Sequence, residues 1–123
     1  MTEHFKIIVA GGRKFFDYPL LKKEVTKIAK KCEKKGLMIE IVSGGAKGAD
    51  YLGEKLAKKK GFRVKKFEAE WDKHGNSAGM IRNFKMAQYA NILIAFWDGK
   101  SRGTGNMITQ MKKVDKPVRV IRY

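Results

Sequence analysis

Apolar and polar positions follow two rhythms along this chain. Short, nearly continuous apolar runs at Phe5 to Ala10, Leu37 to Val42 and Asn91 to Trp97 read as strands buried on both faces. Phe62 to Phe67 and Lys116 to Ile121 mix apolar with charged residues and read as edge strands. Between these runs the spacing is helical. Leu21, Val25, Ile28, Ala29 and Cys32 share one helix face, which predicts a first helix ending near Lys35 and stopped by Gly36. Asp17 is placed to cap it, and Pro19 suits its first turn. Ala49, Leu52, Leu56 and Ala57 predict a second helix from about Lys47 to Lys60, closed by Gly61. A polar loop runs from Glu68 to Ser77, and a third helix covers roughly Ala78 to Ala90. Gly103 or Thr104 opens a fourth, with Thr104, Met107, Ile108 and Met111 as its buried stripe.

Strands alternating with helices predict an α/β domain with a parallel sheet covered on both faces. Placing the charged strands at the edges gives the order 3-2-1-4-5, and right-handed crossovers then put helices on both sides. The switch point lies between the first and fourth strands, where ligands bind outside the carboxyl ends.

Three glycine-rich turns leave strands on that one rim. The first is Gly11-Gly12-Arg13. A guanidinium there can hold a phosphate or carboxylate in two hydrogen bonds, or form a rim salt bridge with Asp17 or Asp98. The second is Ser43-Gly44-Gly45-Ala46-Lys47-Gly48, followed by Asp50. Glycines let the backbone approach a ligand, and the helix start behind them offers free N–H groups to an anion. A plain βα turn, with Asp50 favourable to the helix dipole, fits the same residues. The third runs from Asp98 to Gly105, where Gly103 and Thr104 open a helix as a second anion cradle or a simple cap. In the third helix Arg82, Asn83 and Met86 fall close together, and Arg82 and Met86 share a face suited to a base and its phosphate. Trp71 and Trp97 can stack on a base or sugar.

Composition narrows the choice. The chain has 123 residues, enough for one domain with a real core. A formal net charge of +16 points to anionic partners, nucleotides or nucleic acid, although lysine-rich helix faces are also common without any partner. A single cysteine, Cys32, rules out an internal disulfide. No apolar run reaches the roughly 20 residues of a membrane span, and Met1 to Lys6 lead directly into a strand, so a cytoplasmic location is expected. His4 and His74 are far apart, and no Cys/His/Asp set has metal-ligand spacing, so no metal is expected. Asp50, Glu68, Glu70, Asp72 and Asp98 lie on or near the rim, and a pair of them could act as acid and base.

The runs Ile8-Val-Ala-Gly-Gly-Arg13, Val42-Ser-Gly-Gly-Ala-Lys-Gly-Ala-Asp50, Trp71-Asp-Lys-His-Gly75, Ala78-Gly79, Arg82-Asn83 and Ala95-Phe-Trp-Asp-Gly-Lys-Ser-Arg-Gly-Thr104 resemble the YspA-like branch of the SLOG superfamily. The resemblance implies a Rossmann-like three-layer α/β/α sandwich that binds a nucleotide or nucleotide-derived ligand, as a sensor or sequestering protein. The residues expected to line the pocket are the glycines with Arg13, the Ser43 turn, Asp50, Arg82, Asn83, Gly103 and Thr104. The superfamily includes the LOG phosphoribohydrolases and the DNA-processing protein DprA. Single-stranded nucleic-acid binding and nucleotide hydrolysis are therefore the alternatives. LOG enzymes carry Pro-Gly-Gly-x-Gly-Thr-x-x-Glu. Here the loop lacks the proline, and Met107 stands in place of the glutamate, which counts against LOG-type cleavage. Related domains pair, so the resemblance also implies a homodimer.

Overall fold

The computed structural model describes residues 3–123. Its elements in order are β1 (His4–Gly11), α1 (Tyr18–Lys34), β2 (Met38–Ser43), α2 (Ala49–Lys60), β3 (Arg63–Lys66), α3 (Trp71–His74), α4 (Ala78–Tyr89), β4 (Ile92–Trp97), α5 (Arg102–Lys113) and β5 (Val118–Arg122). All strand pairs are parallel, and the order is β3-β2-β1-β4-β5, as the charge on the edge strands predicts. No helix among the described residues is long and apolar enough to cross a membrane.

The period of two in a strand sends successive side chains to opposite faces. In β1, Ile7 and Val9 join a core with Leu21, Val25, Leu56 and Phe96 beneath α1 and α2. Ile8 and Ala10 join the other core with Met86, Leu93, Met107 and Met111 beneath α4 and α5. Burying each such large side chain contributes roughly 1.5–3 kcal/mol, so the central strands are held from both sides. Cys32 belongs to the first core, and burial pushes its thiol up from the ordinary value.

The edges are held by charge. Arg119 of β5 places Nη2 2.8 Å from Glu24 Oε1 of α1, and this guanidinium holds the Glu24 carboxyl below its ordinary range. Arg63 of β3 lies 3.2 Å from the buried Glu40, which also accepts the Tyr89 hydroxyl. Lys116 donates Nζ–H to the carbonyls of Ala87 and Gln88 at the end of α4.

Several boundaries differ from the sequence pattern, among them the start of α5 at Arg102. The second helix begins at Ala49 and not at Lys47. Gly48 holds φ at 79°, outside helical space, and a Cβ there would overlap the Gly12 carbonyl. The polar loop after β3 contains α3 and a 3₁₀ turn, Gly75–Ser77. The last strand starts at Val118 because Lys116 turns back onto α4 and Pro117 has no N–H to give a ladder.

Candidate functional site

The turns after β1, β2 and β4 meet at the carboxyl rim around a cleft of about 420 Å³. Gly11, Gly12 and Arg13 form one wall, and Gly44, Ala46 and Asp50 a second. Helix α4 contributes Arg82, Asn83 and Met86, and the loop into α5 with its first turn contributes Asp98, Gly103 and Thr104.

Arg82 is the hub of this arrangement. Its Nη1 donates to the Gly44 carbonyl at 2.8 Å, and its Nε donates to Asn83 Oδ1 at 3.2 Å. Asn83 is buried, and its Nδ2 donates to the Gly103 carbonyl at 3.2 Å and to Asn106 Oδ1 at 3.0 Å. The amide therefore ties α4 to the start of α5 and fixes the guanidinium at once. Among the described residues neither Arg13 nor Arg82 is paired with a carboxylate.

Asp50 is buried beside this arginine, and its Oδ2 accepts the Ala46 N–H at 3.4 Å. Burial raises its carboxyl to about 6, against the opposing pull of the Ala46 amide and the Arg82 charge. The carboxylate stands at the start of α2, and the Ala49 N–H donates to the Gly12 carbonyl at 3.4 Å. One N–H of this helix start is thus taken by the protein's own backbone, and no side chain caps it.

Asp98 Oδ1 accepts the N–H groups of Lys100 and Ser101, both at 2.8 Å, and these bonds hold its carboxyl below the ordinary range. Trp97 donates Nε1–H to the Ser101 carbonyl at 2.9 Å. The loop is shaped by these bonds, and the first helical bond to the Ser101 carbonyl comes from Gly105 at 3.0 Å. The N–H groups of Arg102, Gly103 and Thr104 precede it and have no acceptor within the helix. They carry the positive end of the helix dipole at the rim of the cleft.

Five expected residues lie outside the cleft lining. Ser43 is fully buried, donates to Glu54 Oε2 at 2.6 Å and accepts the Gly45 N–H at 3.0 Å, so its hydroxyl shapes the turn. Gly45 borders a neighbouring groove. Lys47 points to solvent, and Gly48 is packed under the Gly12 backbone. Trp97 lies against Gly105 and under the Arg122 guanidinium, 5.6 Å from its ring centroid, and clamps the loop.

Other lining residues escaped the sequence reading: Ala10, Lys14, Ser101, Met107 and Tyr123. Tyr123 follows the last strand, so the parallel topology alone puts it on the carboxyl rim. Its ring meets Phe15 edge-on at 4.9 Å, and its hydroxyl lies against Gly12. Burial raises the phenol above its ordinary value.

A family model described as YAcAr, the YspA, cpYpsA-related SLOG family, matches residues 5–74. This segment carries the first two glycine-rich turns, whereas Arg82, Asn83 and the α5 start lie beyond it. The Gene 61 protein of Mycobacterium phage D29 is 36% identical over 84 residues, which cover 63% of this chain and 67% of that protein. Two solved structures of DNA processing protein A share the fold. That from Helicobacter pylori, described for its single-stranded DNA binding mode, matches with a TM-score of 0.70 at 19% identity, over 97% of this chain and 66% of that one. That from Streptococcus pneumoniae matches with a TM-score of 0.70 at 17% identity, over 98% of this chain and 51% of that one. The chain thus spans just under two thirds of the first and about half of the second. The sheet order is Rossmann-like, and because the family model matches more than half of its length, the chain belongs to the YspA, cpYpsA-related SLOG family.

Proposed function

We propose that this protein binds a nucleotide or nucleotide-derived ligand in the carboxyl-rim cleft. One observation carries this reading: two guanidiniums that form no salt bridge among the described residues line the same cleft as the uncapped amides of α5. Arg13, Arg82 and the N–H groups of Gly103 and Thr104 hold the phosphate. Ala10, Met86 and Met107, core residues with little exposed surface, form the apolar floor on which the base or sugar rests. Asn83 acts through Arg82 and the α5 start, since its own amide is committed. A sensor or sequestering role needs only such binding and no reaction.

The test is thermal unfolding against a plate of nucleotides and a short single-stranded oligonucleotide. A ligand at a hundred times its dissociation constant stabilises the fold by about 2.7 kcal/mol, a shift of several degrees for a domain this size. A shift with one nucleotide class supports the proposal. No shift with any nucleotide contradicts it.

A second reading is a single-stranded nucleic-acid binding module. The net charge of +16 favours it, and so does the likeness to a DprA described as binding single-stranded DNA. Affinity that falls steeply with added salt is its signature, because phosphate contacts release counterions.

A further inference from the structure

A second groove of about 330 Å³ opens beside the cleft. Arg13, Gly44, Ala46 and Arg82 line both, so the two spaces meet across the arginines. The far wall of the groove holds Lys66, Glu68, Ala69 and Trp71. Lys66 is engaged by Glu54 at 3.4 Å, which leaves the two arginines as the cations of the junction.

Trp71 is 56% exposed. Scattered exposed aromatics are ordinary, but this one is placed by its surroundings. Its Cη2 lies 3.5 Å from where a Cβ would stand on Gly79, so the ring rests against the first turn of α4 at the one position with no side chain to cover it. The result is a supported indole with a large exposed surface, in a groove that shares its cationic wall with the cleft. Such a ring stacks well on a planar base, whatever the base.

We infer that the groove is a second subsite and that the ligand is two-headed: two nucleosides joined through phosphate. One nucleoside occupies the cleft, the bridge crosses Arg13 and Arg82, and the second base stacks on Trp71. This rests on the nucleotide reading of the cleft and extends it to a ligand class. The same chemistry occurs in free pyrophosphate-linked dinucleotides and in a phosphodiester step of a single strand.

The experiment is calorimetric titration of wild type, Trp71→Ala and Trp71→Phe. The probes are the four ribonucleoside monophosphates, the matching symmetric pyrophosphate-linked dinucleotides, and the matching phosphodiester-linked dinucleotides. One two-headed probe is expected to bind wild type about tenfold or more tighter than its mononucleotide, the usual scale of base–aromatic stacking. Trp71→Ala removes that gain and leaves mononucleotide affinity unchanged, and Trp71→Phe retains most of it. Whether the pyrophosphate or the phosphodiester probe wins identifies the source. Equal affinity for one-headed and two-headed probes, or a gain that survives Trp71→Ala, overturns the second subsite and leaves the cleft reading standing. No binding of any probe overturns both.

Discussion

Arg82 donates to the Gly44 carbonyl at 2.8 Å, across 38 positions of sequence. The bond joins the N-terminal half of α4 to the turn after β2, and it requires the glycine. A Cβ at Gly44 would stand 2.9 Å from Asp50 Oδ2 and 3.0 Å from Arg82 Nη1. The arginine is thereby fixed before a ligand arrives, which lowers the ordering cost of binding.

Arg82→Ala is expected to weaken a nucleotide ligand roughly 10- to 100-fold, the scale of a charged hydrogen bond. The fold should survive, because the side chain lines a cleft and is not core. Calorimetric affinity together with a thermal melt checks this. Unchanged affinity removes Arg82 from the site.

Gly48→Ala should destabilise the fold by about 2 kcal/mol or more. The position holds φ at 79°, and the new Cβ meets the Gly12 carbonyl and the Arg13 backbone. Gly45→Ala is the control. It also has positive φ, at 76°, but open space around it, so it should cost less. Chemical denaturation of the two variants compares them. Equal losses would show that backbone conformation alone matters at Gly48.

Asp50 sets a pH dependence. Its carboxyl is raised to about 6 in the fold, from an ordinary 3.8. Between those values the folded state holds more protons than the unfolded state, so this group's contribution makes stability fall as pH rises from about 4 to about 6. The ionised carboxylate then costs about 3 kcal/mol at pH 7. Asp50→Asn should abolish that slope and stabilise the protein at pH 7 by roughly 1–3 kcal/mol, less where the new amide lacks an acceptor. It should also tighten an anionic ligand. Denaturation series at pH 4 to 8 test it, and a variant that is less stable at pH 7 with the slope retained contradicts it.

Salt separates the two binding readings. A nucleotide held by two arginines and helix amides should lose little affinity between low and moderate salt. A single strand lying on many lysines should lose several orders of magnitude over the same range. Titration of one oligonucleotide and one mononucleotide at two salt concentrations measures this directly.

Much of this was legible in the sequence because it follows from periodicity and charge. Arg63, Lys65, Lys66, Arg119 and Arg122 mark the edge strands, and the parallel order follows from them. The three glycine-rich turns meet on one rim for the same reason. What the sequence could not give was the use of each polar group. Ser43 and Trp97 have the right chemistry for a ligand, yet Glu54 and the Ser101 carbonyl take their hydrogen bonds. Asp50 reads as a pocket or helix-dipole residue, and only the fold reveals that it is buried and that its carboxylate accepts the Ala46 N–H. Tyr123 carries no motif and reaches the cleft through strand register alone.

The most direct test of the central claim is amide-resolved NMR, following backbone N–H shifts while the best nucleotide of the thermal screen is titrated. The account predicts the largest shifts at Arg102, Gly103 and Thr104, with the Arg82 side-chain Nε–H moving in parallel and α1 unmoved. Shifts confined to the lysine face of α1, with the α5 start silent, would contradict it.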